Sequence, residues 1–277
     1  MKKYWCQRIL IMWVVFILAV GGSYELIRGR QEAFRREVSA GAGDEELVIP
    51  GGMPIGIYME TEGVMVLGTE AICGTDGIAR EPSRNLVSPG DYILAVNGTK
   101  VKDKSGLIHE VEELESEEVV LTLKRGDGTI DVRTSAVLDK ERNYKLGIWV
   151  RDNAQGLGTI TFLDGDSRFG ALGHGIHDVD TGLLFETSGG RVYETSIRDV
   201  QKGKSGEPGG MEGIIVYNNY NVLGSIIKNT EDGIYGKIDR IDALFSDQTP
   251  LRTAKKEEIR EGEAVIRCGV EGEVTRI

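Results

Sequence analysis

Hydrophobic and polar positions change character three times along the chain. From Ile9 to Val20 every residue is apolar (ILIMWVVFILAV), after Lys2, Lys3 and Arg8 and before Gly21 and Gly22. Extended to Ile27, the stretch carries a single charge, Glu25, and reaches the ~20 residues a helix needs to cross a bilayer. Tyr4, Trp5 and Tyr24 stand where interfacial aromatics belong. Ala19-Val20-Gly21 equally suits a signal-peptide cleavage site. An uncleaved anchor and a cleaved signal both carry the rest of the chain out of the cytoplasm, and a buried core helix is the third reading. Residues 1–30 are thus expected to be an anchor or signal, with membrane contact through 9–27. Residues 31–44, charged and then rich in glycine, read as a linker.

From Leu47 the pattern shortens to apolar runs of strand length. Ile55–Met59 and Val64–Leu67 predict two strands around Glu60-Thr61-Glu62-Gly63. Pro89-Gly90-Asp91 is a turn signal, Tyr92–Val96 a strand, and Asn97-Gly98 a tight-turn pair. Leu107, Ile108, Val111 and Leu114 recur at helical spacing behind Ser105, a candidate cap. The glutamates from Glu110 to Glu118 read as the solvated face and exit of that helix. Val119–Lys124 and Ile130–Thr134 then make two strands about Gly126-Asp127-Gly128. These elements delimit a small α+β unit at 45–137.

Beyond Tyr144 the chain alternates strands and glycine turns with no long amphipathic helix. The expected strands are Leu146–Val150, Gly158–Leu163, Arg168–Leu172, Arg191–Ile197, Ile214–Tyr217, Val222–Ile227 and Ile234–Ile238. So many short strands in succession suggest a barrel or sandwich over 144–277.

Composition narrows the function. Glycine supplies 38 of 277 residues and proline 6, which fits a turn-rich, mainly β protein. Thirty-three basic against 44 acidic residues leave a net charge of −11, which argues against nucleic acid as a partner because that work needs a basic stripe. Three cysteines exclude a disulfide-dense scaffold. Cys73 and Cys268 fall in different expected units, which argues against their pairing. No cofactor motif is present, since Arg198 stands where a phosphate-binding loop ending at Gly203-Lys204-Ser205 needs its first glycine.

The chain has three histidines, His109, His174 and His177. His109 lies on the expected helix beside Glu110 and reads as a surface residue. His174 sits in Phe169–Asp180 (FGALGHGIHDVD), at a strand end among glycines, where a substrate can approach a general base. Two other readings stand beside that one: a metal site from His174, His177, Asp178 and Asp180, and a structural or surface histidine. A candidate nucleophile, Ser205, lies in Gly203-Lys204-Ser205-Gly206-Glu207-Pro208, which mimics the G-x-S-G-x-P loop of chymotrypsin-like peptidases.

The run Ser88–Val101 (SPGDYILAVNGTKV) resembles the PGD-x-I-x-x-I-N-G signature of PDZ domains in bacterial proteases. Such domains add an extended peptide to a sheet edge. The resemblance implies a groove for peptide C-termini between the strand near Ile55 and the helix at Leu107, with Gly51 and Gly52 near the carboxylate-binding loop.

Together with Leu146–Asp152 (LGIWVRD), Gly156–Phe162 (GLGTITF), Gly170–Ile176 (GALGHGI), Lys202–Gly210 (KGKSGEPGG) and Ile226–Ile238 (IIKNTEDGIYGKI), these pieces resemble the stage IV sporulation protein B (SpoIVB) peptidases, family S55. The resemblance implies a membrane segment, a PDZ domain at 45–137 and an incomplete trypsin-like β-barrel peptidase domain at 144–277. It carries the catalytic base over to His174. It makes Lys202–Gly210 a glycine-rich loop other than the nucleophile loop. The family's G-M-S-G-S-P nucleophile motif and the triad aspartate do not occur in the 277 residues, and the expectation is that both lie beyond this chain. The implied role is a membrane-anchored, extracytoplasmic serine endopeptidase that cleaves a membrane-complex protein and so allows late sigma-factor processing. The alternative is a catalytically inactive membrane protein that binds peptides through its PDZ domain.

Overall fold

The computed structural model describes residues 47–245, 249–271 and 274–276. The expected membrane segment at 9–27 and linker at 31–44 lie outside them. Among the described residues no helix is long and apolar enough to cross a membrane.

The chain is mainly β. Its first half holds β1 (Leu47–Pro50), β2 (Pro54–Thr69), β3 (Ile72–Cys73), β4 (Ala79–Arg80), β5 (Tyr92–Val96), β6 (Thr99–Lys100), helix α1 (Lys104–Glu112), β7 (Glu118–Arg125), β8 (Gly128–Ser135) and β9 (Val137–Leu138). Its second half holds β10 (Tyr144–Lys145), β11 (Ile148–Asp164), β12 (Arg168–Ala171), β13 (Gly189–Tyr193), β14 (Thr195–Gln201), β15 (Gly210–Ile215), β16 (Val222–Thr230) and β17 (Gly233–Ile238). After these come helix α2 (Asp242–Phe245), β18 (Leu251–Arg252), β19 (Cys268–Glu271) and β20 (Val274–Arg276). Cys73 and Cys268 are free thiols.

Two pairs of expected strands prove to be single long ones. β2 runs through Glu60–Gly63 without a reversal. The irregularity there is a bulge: Gly63 has φ +79, the Thr61 hydroxyl reaches the Gly63 carbonyl at 2.6 Å, and the ladder to β11 shifts register between Arg151 and Asn153. Polar residues at a bulge look like a turn in sequence, because both interrupt the period-2 alternation. β11 likewise joins the two strands expected at 146–150 and 158–163.

β2 and β11 form one antiparallel hairpin, with Pro54 opposite Thr159, Glu60 opposite Asn153 and Thr69 opposite Ile148. Residues 70–147 are strung across its open end, so the small unit is an insertion within a hairpin. Two backbone strands joined by ladder hydrogen bonds connect it to the rest of the chain.

The other end of the hairpin enters a closed circuit of pairings. β2 pairs β13 (Ile57 with Val192), β13 pairs β16, β16 pairs β17, β17 pairs β12 (Ile234 with Ala171), β12 pairs β11, and β11 returns to β2. All six pairings are antiparallel. Packed together with these strands in one core are Ile49, Met53, Ile55, Ile57, Met59, Ile160, Leu163, Phe169, Phe185, Val192, Leu223, Ile226 and Ile234. Each fully buried side chain of this kind contributes about 1.5–3 kcal/mol. Residues 47–60, which the sequence groups with the first unit, therefore supply strands and core to the second. Periodicity tells that Ile55, Ile57 and Met59 share a face; it does not tell which core that face meets.

The inserted unit has its own core of Val64, Val66, Ile93, Val96, Leu107, Val111, Val119, Leu121 and Leu123. The Pro89-Gly90-Asp91 turn has a specific anchor. Asp91 is buried, accepts from the Ser88 N–H at 2.8 Å, and takes a two-pronged contact from Arg125 at 2.8 and 2.6 Å. Asn97 and Gly98 both have positive φ and turn β5 into β6 as expected. Helix α1 starts at Asp103 rather than Ser105, since the Asp103 carboxylate accepts from the Gly106 N–H at 2.8 Å.

Candidate active site

His174 follows β12 at one end of the circuit. Leu172 and Gly173, with φ +75 and +88, turn the chain out of the strand. The His174 ring is exposed. Its Nδ1 is 2.9 Å from the Gly175 carbonyl oxygen. A carbonyl only accepts, so in the neutral ring Nδ1 carries the proton and Nε2 keeps its lone pair. An exposed imidazole with its far nitrogen unprotonated has the form a general base requires.

The backbone beneath this ring is held from several sides. The Gly175 N–H donates to the Glu231 carbonyl at 3.0 Å, in the turn between β16 and β17. A Cβ on Gly175 would lie 2.5 Å from the Thr230 carbonyl oxygen and from Leu184 Cδ1, so only glycine allows this approach. His177 Nδ1 also faces the Gly175 carbonyl, at 3.3 Å, and its Nε2 lies 3.3 Å from a Glu231 carboxylate oxygen.

The loop from 172 to 188 is fastened to the inserted unit as well. The Asp178 side chain is fully buried. It accepts from the N–H of Asp180 and from the N–H and hydroxyl of Thr181 at 3.0, 2.9 and 3.1 Å, and it is ion-paired to Arg151 of β11. Burial raises its pKa. The Thr181 N–H and hydroxyl, the Arg151 charge and the Asp180 N–H outweigh that and hold the carboxyl below its ordinary range. Arg151 also reaches Asp180 at 2.7 Å. Farther along the loop, the Glu186 N–H donates to the Tyr92 hydroxyl at 3.1 Å, and Lys124 pairs with the Glu186 carboxylate.

Of the four residues considered for a metal, Asp178 and Asp180 are thus committed to Arg151. Among the described residues no group of three or more His, Cys, Asp or Glu is disposed to hold a metal ion. Ser205 lies at the exposed tip of the β14–β15 hairpin, in a tight turn closed by Lys204 and Glu207 at 2.8 and 2.9 Å. Gly206 supplies the positive φ at +84. Among the described residues no hydrogen bond joins Ser205 to His174.

The residues expected to line a peptide groove do not come together. Ile55 is 0 % exposed in the larger core. Gly51 and Gly52 donate to the carbonyls of Thr161 and Ile160 at 2.8 and 2.7 Å, against β11 and away from α1. Neither glycine nor Ile55 can meet a peptide beside the helix. Only Leu107 lines a groove, one of about 340 Å³ between α1 and residues 144–150. Ile108 and Val111 share its helical wall, and Leu146, Ile148 and Trp149 its strand wall. Lys104 and Lys145 flank it together with Glu70 and Glu112. The correction has one cause: the free strand beside α1 comes from the C-terminal return of the hairpin, not from its N-terminal arm.

Sequence reasoning missed Arg151, Asn229 and the strand wall. Trp149 held a usable signal, an exposed aromatic alternating with inward Ile148 and Val150. Asn229, between Lys228 and Thr230 at the polar end of β16, held none.

Residues 142–276 match the family model of the SpoIVB peptidase S55. No curated protein matches the chain. Among solved structures, the PDZ domain of the SdrC-like protein from Listeria monocytogenes is similar at 21 % identity, over 32 % of this chain and 87 % of that one, with a TM-score of 0.27.

Proposed function

We propose, from the premise that residues 142–276 form a SpoIVB peptidase S55 region, that the protein serves proteolysis with His174 as general base. The observation that carries this reading is the 2.9 Å contact of Nδ1 with the Gly175 carbonyl, which leaves Nε2 to take a proton. In the reaction, Nε2 accepts the proton of a serine hydroxyl as its oxygen attacks the scissile carbonyl. It then returns that proton to the leaving amine. The closed circuit of six strands is read as the incomplete trypsin-like barrel, with His174 at its rim. The serine and the triad aspartate come from outside the 277 residues. The chain is anchored through residues 9–27 and acts outside the cytoplasm on a protein of a membrane complex, whose cleavage permits late sigma-factor processing. Replacing His174 by alanine in the full-length protein should abolish cleavage of that protein; cleavage at the wild-type rate overturns the assignment.

A second reading is favoured by the groove beside α1. It is apolar along both walls, and Lys104 and Lys145, which share its flanks with Glu70 and Glu112, can meet the carboxylate of an extended peptide. On this reading the chain binds a partner's tail and cleaves nothing. Calorimetry with C-terminal peptides tests it, and the absence of binding by folded protein counts against it.

A further inference from the structure

The His174 tautomer depends on the direction of one carbonyl, and that direction is set from a distance. Gly175 C=O and Ile176 N–H belong to the same planar trans peptide, so they point in opposite directions. The Ile176 N–H donates to Asn229 Oδ1 at 2.9 Å. Fixing that N–H aims the Gly175 carbonyl the other way, at His174 Nδ1. Asn229 Nδ2 meanwhile donates to the carbonyls of Ile176 at 2.8 Å and Phe185 at 2.9 Å. One half-buried amide on β16 thus ties both strands of the loop behind the histidine.

We propose that Asn229 is the positioning residue for His174: by fixing the Ile176 N–H it aims the Gly175 carbonyl that keeps the imidazole in the Nδ1–H form, the form whose proton the triad carboxylate must accept. The proposal rests on the reading of His174 as base. The carboxylate of a triad fixes the imidazole tautomer and stabilises the imidazolium. A carbonyl oxygen performs the first task, because it can only accept from Nδ1–H. The second is left to the triad aspartate. When Nε2 takes the serine proton, Nδ1 keeps its own and no second proton moves. The same carbonyl has a second lone pair, which faces His177 Nδ1 at 3.3 Å.

The test is long-range proton–nitrogen NMR of the full 277-residue chain with labelled histidine, above the range in which imidazole is charged. Wild-type His174 should show a protonated Nδ1 and a pyridine-like Nε2. Asn229→Ala should shift the ring toward the Nε2–H form that free imidazole side chains prefer. Asn229→Asp keeps an acceptor for the Ile176 N–H and should keep the wild-type tautomer. An Nε2–H tautomer in the wild type overturns the proposal, and so does a folded Asn229→Ala with an unchanged ring. Should the alanine variant fail to fold, the wild-type and aspartate spectra still decide. In the full-length enzyme Asn229→Ala should lower kcat by roughly 10²-fold with KM unchanged, short of the ~10⁴ lost by a triad in the wrong tautomer. His174→Ala that retains proteolysis would instead refute the base reading, and it leaves the tautomer result standing.

Discussion

Arg151 and Asp178 join the two units at the loop that bears His174. Arg151 sits on β11 directly after Trp149 and Val150, which line the groove, and directly before Asp152, whose carboxylate accepts from the Lys104 N–H at 2.8 Å at the start of α1. Four consecutive residues therefore touch the groove, the histidine loop and the helix. Removing the guanidinium leaves a buried carboxylate without its counter-charge, which costs about 3–5 kcal/mol in a fully buried pair. Arg151 is itself 32 % exposed, so Arg151→Met should cost nearer ~2 kcal/mol. Thermal or urea denaturation reads this directly. A loss below a few tenths would show that Thr181 and Asp180 alone hold Asp178.

Asp178 also predicts a pH dependence. Its carboxyl is depressed below the ordinary value of 3.8. A depressed carboxyl stabilises the fold above the unfolded value, and that contribution is lost as pH falls through the folded one. The thermal midpoint should decline from about pH 5 downward, and Asp178→Asn should flatten that decline. An unchanged acid limb would place the titrating group elsewhere.

Gly175→Ala forces a Cβ to within 2.5 Å of the Thr230 carbonyl oxygen. Overpacking against backbone costs about 1–3 kcal/mol. The expected outcome is a destabilised chain in which the His174 resonances shift while those of Trp149 do not. Equal shifts at both would mean that the strain spreads beyond the loop.

The groove makes a binding prediction. Ile108 is 47 % exposed on the helical wall, so a charge there reaches the groove without entering the core. Ile108→Glu should weaken binding of an apolar C-terminal peptide at least tenfold, about 1.4 kcal/mol, with the thermal midpoint unchanged. Isothermal titration calorimetry supplies the number. The matching change at the originally expected Ile55 should instead unfold the protein.

The hairpin architecture predicts that the circuit survives without its insertion. Glu60 lies opposite Asn153, so replacing 61–152 by Asn-Gly should close a two-residue hairpin. The shortened chain should still unfold cooperatively. Loss of cooperative unfolding would show that the inserted unit supports the circuit, through Tyr92, which lies on β5 yet packs in the larger core, or through Arg151.

The strand runs, helix α1, the Asn97-Gly98 turn and the mainly β character were legible because each depends on neighbours a few residues apart. His174 stood out as a rare chemistry-bearing residue among glycines at a strand end. Local alternation and turn chemistry are written in consecutive residues, and the chain by itself determined them. Tertiary structure decided which partner each strand took. It moved Ile55 from the groove to the core, joined β2 and β11 into one hairpin around an inserted unit, and brought Asn229 to the Ile176 N–H behind His174, across 53 residues of chain. Strand pairing and the aim of a half-buried amide are non-local, set by which faces find apolar cover and which peptide groups find partners, and no window of sequence contains that competition.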